Sequence, residues 1–320
     1  MVTSTLVKVF AGIGAVWVSR WILNITRFLY TFLRPSSLSR YHHLSPTGAP
    51  PYALITGASD GIGKGYAFEL ARQNFNLILH GRNKSKLLSV SSAIKNIYPD
   101  TIIRIVISDA TQSGDVTLRE INEIVEQIKD LHITILINNV GTGTRPSGHV
   151  FSNFESDDPA DLDALINVNA RFPIQFTRQI LPLLFSHSQP TLLLTMASIS
   201  EIGSPYLSVY SATKAFMKAW SCALAREFKA EGRDVEVLAI MTAQVTGTAT
   251  EGMERNVFVP DARCFARSAL GRVGCGGDVV EGWWSHAVLR GVMGRLPGGV
   301  FTGILTRSVR GEMGKVGKSK

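Results

Sequence analysis

Three cysteines, Cys222, Cys264 and Cys275, are all that 320 residues contain, and none is spaced to pair with another. That excludes a disulfide framework and points to a reducing compartment. Charge is sparse as well, at 18% of residues, where a globular domain averages about 25%. Acidic residues are missing altogether from residues 1–47, which hold Lys8, Arg20, Arg27, Arg34 and Arg40. Residues 307–320 repeat the imbalance with five basic residues against Glu312, so the net charge of +8 sits at the ends and the middle is near neutral. A nucleic-acid binder carries its basic patch on the folded domain, so nucleic acid is not expected as a partner. Basic ends around a neutral middle suit a cytoplasmic membrane surface instead. His80, His132, His149 and His187 show no metal-ligand spacing and read as surface or edge residues. No metal is expected.

An uninterrupted apolar run long enough to cross a bilayer is also absent. VFAGIGAVWVS (9–19) is too short alone, and WILNITRFLYTFL continues it only after Arg20. Residues 1–33 together read as a membrane anchor, either a tilted span with snorkelling arginines or a helix lying in the interface. Trp17, Trp21 and Tyr30 suit the polar boundary of a membrane. No small-residue cleavage pattern follows, which argues against a secretory signal. Residues 34–51, RPSSLSRYHHLSPTGAPP, read as a polar linker, residues 52–306 as one domain and residues 307–320 as a basic tail.

Within that domain, short apolar runs alternate with helical periodicity. YALIT (52–56), NLILH (76–80), TIIRIVI (101–107), ITILI (133–137), TLLLTM (191–196) and VEVLAI (235–240) are strand-like. Residues 62–73, 115–128, 160–186 and 208–230 carry helical spacing. Continuous apolar strands joined by helices predict one α/β domain with a doubly wound parallel sheet of Rossmann type, about six or seven strands wide.

Two features carry chemistry. The first is TGASDGIG, where Thr56, Gly57, Ser59, Asp60, Gly61, Ile62 and Gly63 join the first strand to the first helix of the domain. Such a turn offers backbone N–H groups and a helix N-terminus to a phosphate. The second is Tyr210-Ser-Ala-Thr-Lys214, whose Tyr and Lys share one helix face, with Ser198 twelve residues before the Tyr. An ammonium one turn away brings a tyrosine hydroxyl closer to the working pH range, and a Ser and a Tyr hydroxyl converging on one carbonyl would polarise and protonate it.

With these motifs the chain resembles the short-chain dehydrogenase/reductase family across residues 50–250. Asn138-Asn139-Val140-Gly141 is similar to the family's N-N-A-G signature, with Val where Ala is usual. The resemblance implies that Tyr210 donates the proton, Ser198 orients the carbonyl, Lys214 binds ribose and lowers the Tyr pKa, and Asn169 anchors a relay water. It implies cofactor contacts at Asn138, Asn139 and Gly141, at Asp109 beside the adenine, at Tyr210 and Lys214, and at Val245 and Thr246 for the carboxamide. The second strand ends without a carboxylate and is followed by Arg82. The missing acid and the arginine favour the 2′-phosphate of NADP(H).

The hydrophobic N-terminus, the N-N-V-G variant and GWWSHAVL (282–289) look like the very-long-chain 3-oxoacyl-CoA reductases and nearly as much like the 17β-hydroxysteroid dehydrogenases. The former implies an acyl-CoA substrate in fatty-acid elongation, at the endoplasmic reticulum membrane with the catalytic domain facing the cytosol. A homodimer or an elongation complex is implied as partner. Two alternatives stay open: a ketoreductase for a steroid or specialised-metabolite ketone, and a membrane-tethered NADP(H)-binding protein without turnover. Departures from the family pattern bear on the first. Ser198 lies one residue closer to the Tyr than is usual, which leaves Ser200 as a weaker candidate, and Thr242 stands where the family has Pro. Substrate selection is expected in loops 142–158 and 246–262.

Overall fold

A strand apolar on both faces is stable only where both faces are covered, and that condition decides the architecture. The computed structural model of the chain describes residues 2–187, 189–248 and 254–316. Helix α1 (Val2–Leu33) comes first. The first half of the domain runs β1 (Tyr52–Ile55), α2 (Gly61–Arg72), β2 (Asn76–Gly81), α3 (Lys84–Lys95), β3 (Ile103–Ile107), α4 (Asp115–Ile128) and β4 (Ile133–Asn138). The second half runs α5 (Pro159–Ile166), α6 (Phe172–Phe185), β5 (Thr191–Met196), α7 (Ser208–Ala230) and β6 (Val235–Met241). It closes with α8 (Ala262–Leu270), β7 (Val279–Glu281), α9 (Trp284–Met293) and α10 (Gly298–Val316).

The seven strands form one parallel sheet in the order β3-β2-β1-β4-β5-β6-β7. Alternate residues feed two cores. Ala53, Ile55, Ile135, Ile137, Leu192 and Leu194 pack under α2, α3 and α8. Leu54, Ile133, Leu136 and Leu193 pack against α4, α6 and α7. The order reverses between β1 and β4, which opens a crevice at the carboxyl ends of those strands. The Rossmann-type expectation is met.

Three details differ from the periodicity. The stretch expected as one helix over 160–186 is broken by a π-helical turn, Asn167–Arg171, between α5 and α6. β7 has three residues, too few to show a period. His80 is not a surface residue: it lies in β2 and is 1% exposed, because both faces of that strand are covered. His132 is buried too, with His43 Nδ1 3.0 Å from its Nε2.

Helix α1 includes a stretch, Thr5–Leu33, of mean hydropathy 1.6 with no part buried, long and apolar enough to cross a membrane. Its end is held to the domain. Arg34 Nη1 donates to Val273 O (3.0 Å), and the Arg272 guanidinium lies 4.8 Å from the Phe32 ring centroid. The segment read as a linker is laid along the domain: Tyr41 is buried and its hydroxyl donates to Glu236 Oε2 (2.5 Å). α10 runs on through residue 307, where the basic tail was expected to begin, and residues 317–320 lie outside the described residues.

One buried charge ties α2 to α8. The Glu69 carboxylate is 1% exposed and accepts from Arg72 Nε (2.9 Å), Arg263 Nε (2.8 Å) and Arg267 Nε (2.9 Å). Burial works against its charge, but the hydrogen bonds from Arg267, Arg263 and Arg72 outweigh it and hold the pKa at about 2 instead of 4.5. The stability this cluster contributes is therefore full above the ordinary value of 4.5 and is lost as pH falls toward 2. Replacing Glu69 by Gln should lower unfolding free energy at neutral pH by about 1–3 kcal/mol. It should also flatten the acid fall in melting temperature; an acid limb unchanged by Glu69→Gln would contradict this account.

Candidate active site

The site is built where strand ends stop and backbone groups lose their ladder partners. At the end of β1, Gly57 turns the chain at φ +65°. Gly63, in the first turn of α2, passes so close that a Cβ there would stand 2.2 Å from Gly57 O, so no side chain fits. Thr56 and Asn139 hold this turn against β4. Thr56 Oγ1 accepts from the N–H groups of Asn139 (3.0 Å) and Val140 (3.1 Å). Asn139 Nδ2 donates to Thr56 O (3.0 Å) and Gly57 O (3.1 Å). Ala58 N donates to His80 O (2.9 Å), which joins the turn to β2. Asp60 caps α2 through Gly61 N (2.9 Å), and Ile62 packs on the core beneath.

Beyond β2, Arg82 is exposed, and Ser59 Oγ lies beside Gly81. Asp109 follows β3 half-buried, its Oδ1 accepting from Thr111 N (2.9 Å). Asn138 faces away from this side: its Nδ2 donates to Thr177 Oγ1 on α6 (2.7 Å) within the core. Its place is therefore to join β4 to α6, and no side-chain contact to the turn is seen. Val245 is buried, and Thr246 pairs with Asp261.

Ser198, Tyr210 and Lys214 of the second motif converge with Asn169 at the ends of β4 and β5. Asn169 sits in the π-helical turn, where the extra residue re-aims it. Its Oδ1 accepts from Thr142 N (3.0 Å), and its Nδ2 donates to Thr142 O (2.7 Å) and Leu165 O (3.0 Å). Lys214 is buried, and Nζ donates to Met196 O (3.1 Å) at the end of β5. A Cβ on Gly141 would meet Asn169 Oδ1 at 2.8 Å and Lys214 Nζ at 3.1 Å, so the glycine is what lets this strand end lie against both. Ser198 Oγ accepts from Ser200 N (3.1 Å), and the Ser198 side chain is placed where it draws the Tyr210 pKa down. Ser198, and not Ser200, is thus the serine that meets the tyrosine.

Burial raises the Tyr210 pKa, and the Ser198 side chain pulls it partly back. The sequence anticipates a lowered tyrosine; in the folded chain burial outweighs the lowering, which keeps the proton on the donor. Lys214 Nζ stands 5.7 Å from the Tyr210 ring centroid. Its own pKa is pushed down by burial from 10.5 to about 8.

Loop 142–158 is braced by buried charges, one within it and one on α5. Arg145 and Asp157, both buried, form an ion pair (2.7 Å), and Ser147 Oγ donates to Asp161 Oδ2 (2.5 Å). Of the second loop expected to select substrate, residues 249–253 lie outside the described residues. One contributor escaped the sequence reading. His286, 0% exposed, accepts a hydrogen bond from Ala243 N at Nδ1 (3.2 Å) in the segment that carries Thr242. Its only sequence signal was its place in GWWSH.

A nicotinamide dinucleotide fits this cradle on two counts. The turn has no side chains at Gly57, Gly61 and Gly63 to cover its backbone N–H groups, as a bound pyrophosphate requires, and the Lys214 ammonium has one protein carbonyl as hydrogen-bond acceptor among the described residues, leaving donors for ribose hydroxyls. That ammonium is present at neutral pH and is lost as pH rises through about 8. The kcat/KM for carbonyl reduction should accordingly decline above about pH 8 with a slope near one. A profile flat to pH 10 would show that the charge on Lys214 is not needed.

Comparison with known proteins agrees with this geometry. The family model for short chain dehydrogenase matches residues 51–256. The very-long-chain 3-oxoacyl-CoA reductase of Neurospora crassa is 32% identical over 289 residues, covering 88% of this chain and 83% of that protein. Its counterpart in Coccidioides immitis is also 32% identical, over 88% of this chain and 78% of that one. Among solved structures, a short-chain dehydrogenase from Sphingobium yanoikuyae in complex with NADPH superposes with a TM-score of 0.60 at 22% identity, over 78% of this chain and 97% of that one. A 7beta-hydroxysteroid dehydrogenase superposes with a TM-score of 0.68 at 17% identity, over 80% and 96%. The chain belongs to the short chain dehydrogenase family, and is an oxidoreductase that binds a nicotinamide cofactor.

Proposed function

We propose that this protein reduces the 3-keto group of a long or very-long-chain 3-oxoacyl-CoA, using NADPH, at the cytosolic face of the endoplasmic reticulum membrane. The observation that carries the reaction type is the meeting of Ser198, Tyr210, Lys214 and Asn169 at the ends of β4 and β5. When bound, NADPH supplies the hydride. The Ser198 and Tyr210 hydroxyls donate to the carbonyl oxygen, and the Tyr210 proton passes to that oxygen as the alcohol forms. Lys214 holds ribose hydroxyls and stabilises the tyrosinate that remains. Asn169, fixed by three hydrogen bonds, keeps the Thr142 backbone in place for a proton-relay water.

NADPH is favoured over NADH by charge. No carboxylate ends β2, and the Arg82 side chain is exposed directly after it, with Ser59 alongside. The long acyl-CoA is supported by relatives that carry that name along most of the chain and by α1, since an acyl chain prefers lipid to water. Arg34 and Arg40 follow α1 on the domain side, which favours a cytosolic domain.

Two experiments test this reading. With detergent-solubilised protein, NADPH oxidation should speed up with acyl length across a series of 3-oxoacyl-CoA thioesters and stay low with ketosteroids. Tyr210→Phe should cut turnover on the order of a hundredfold or more while NADPH still binds. Faster reduction of ketosteroids would move the protein to the other substrate class, and intact binding with no turnover on any ketone would leave a tethered binding protein. Arg82→Ala should raise the KM for NADPH roughly 10- to 100-fold and leave that for NADH nearly unchanged. An equal effect on both would remove the phosphate contact.

A further inference from the structure

The turn Gly282-Trp-Trp-Ser-His286 makes more contacts than closing a sheet edge requires. Gly282 N donates to Met241 O (3.0 Å), and a Cβ on Gly282 would stand 2.5 Å from Phe265 Cζ, so the turn is pressed against β6 and α8. From there three side chains reach one short stretch of backbone. Trp283 Nε1 donates to Val257 O (2.9 Å), and Ser285 Oγ donates to the same oxygen (2.8 Å). His286 Nε2 lies 3.0 Å from Phe258 O, which can only accept, so this nitrogen carries the proton. The other nitrogen must then accept, and it does so from Ala243 N (3.2 Å). Both ring nitrogens of a fully buried imidazole are therefore used, and the neutral ring is the only form that satisfies both partners.

Those partners lie on two sides of the site. Ala243 belongs to the segment from Thr242 to Thr246 that leaves β6. Val257 and Phe258 belong to the far limb of the loop that departs after Thr246 and returns at Asp261, where Thr246 N donates to Pro260 O (3.0 Å). A proline after β6 would set the backbone covalently; with Thr242 there, the chain has no such restraint. One turn further along α9, Arg290 donates to Glu201 Oε1 (2.9 Å) in the short helix that Ser198 caps. Helix α9 and its first residues thus touch the backbone after β6, the returning loop and the Ser198 turn.

We infer that His286 is a positioning residue: its imidazole fixes the backbone of the nicotinamide segment and locks it to the substrate loop, taking over the restraint that a proline at position 242 would impose. This rests on the reading of Val245 and Thr246 as carboxamide contacts. Ser285 and Trp283 steady the loop side of the same lock through Val257.

The test uses full-length protein in detergent, with NADPH and NADH as probes whose binding is read directly by fluorescence; the dinucleotide arm needs no ketone, and the KM arm uses a long-chain 3-oxoacyl-CoA. His286→Phe keeps an aromatic ring against Phe265 but removes both hydrogen bonds. It should weaken binding of the preferred dinucleotide on the order of tenfold. His286→Asn restores an acceptor near the place of Nδ1 and should recover most of that affinity, while the loop side stays unlocked and the KM for the ketone remains raised. Ser285→Ala, a milder change, should raise the KM for the ketone and leave dinucleotide affinity as it is. Wild-type affinity in His286→Phe with only a lowered melting temperature would overturn the inference, as would equal loss in His286→Phe and His286→Asn. If wild type binds NADH and not NADPH, the cofactor reading falls while the His286 comparison is made with NADH.

Discussion

A lysine ammonium taken out of water with a single carbonyl among the described residues to accept from it is costly, and the space around Lys214 sets the terms for the rest of the site. The cost shows in its lowered pKa. The ammonium keeps donors that a hydroxyl-rich or anionic ligand can answer. β5 must end at Met196 to present its carbonyl. Residue 141 must be glycine to let the end of β4 lie between Asn169 and the ammonium. α7 must start close enough to Ser198 for Tyr210 to reach it, which the short helix Ile199–Ile202 arranges.

The same crevice depends on backbone held by side chains from a distance. Asn139 and Thr56 brace the glycine turn, Asn169 braces Thr142, and His286 braces Ala243. In each case a strand has ended and its N–H or C=O groups have lost the ladder, so a buried polar side chain supplies the missing partner. The departure at Thr242 falls into this pattern. Where a covalent restraint is missing, a hydrogen-bonded one from α9 stands in its place.

Helix α1 and the site are joined through the early residues of the chain. Arg34, Ser36 and Tyr41 bond to residues of β6 and the α8 end, so α1 leaves the domain from a fixed point and not from a free tether. Under the proposed function, where the acyl chain resides in lipid, such a fixed exit would hold the crevice at a constant height above the membrane and lower the entropy lost on each encounter.

Much of this was legible in the residues. Apolar runs such as ITILI and TLLLTM admit only doubly covered strands, and TGASDGIG and Tyr210-x-x-x-Lys214 carry their chemistry in local spacing. Local rules act over a few residues, so a sequence states them directly: the parallel sheet, the glycine turn, the Tyr/Lys face and the family followed from it. Tertiary structure alone decided that Asn138 serves the core, that His80 is buried, that a π-helical turn aims Asn169, and that His286 reaches Ala243 from 43 residues away. Each of these depends on which groups meet after the chain has crossed the sheet. No period or spacing in the chain encodes such a meeting, because it is set by the summed packing of elements far apart in sequence.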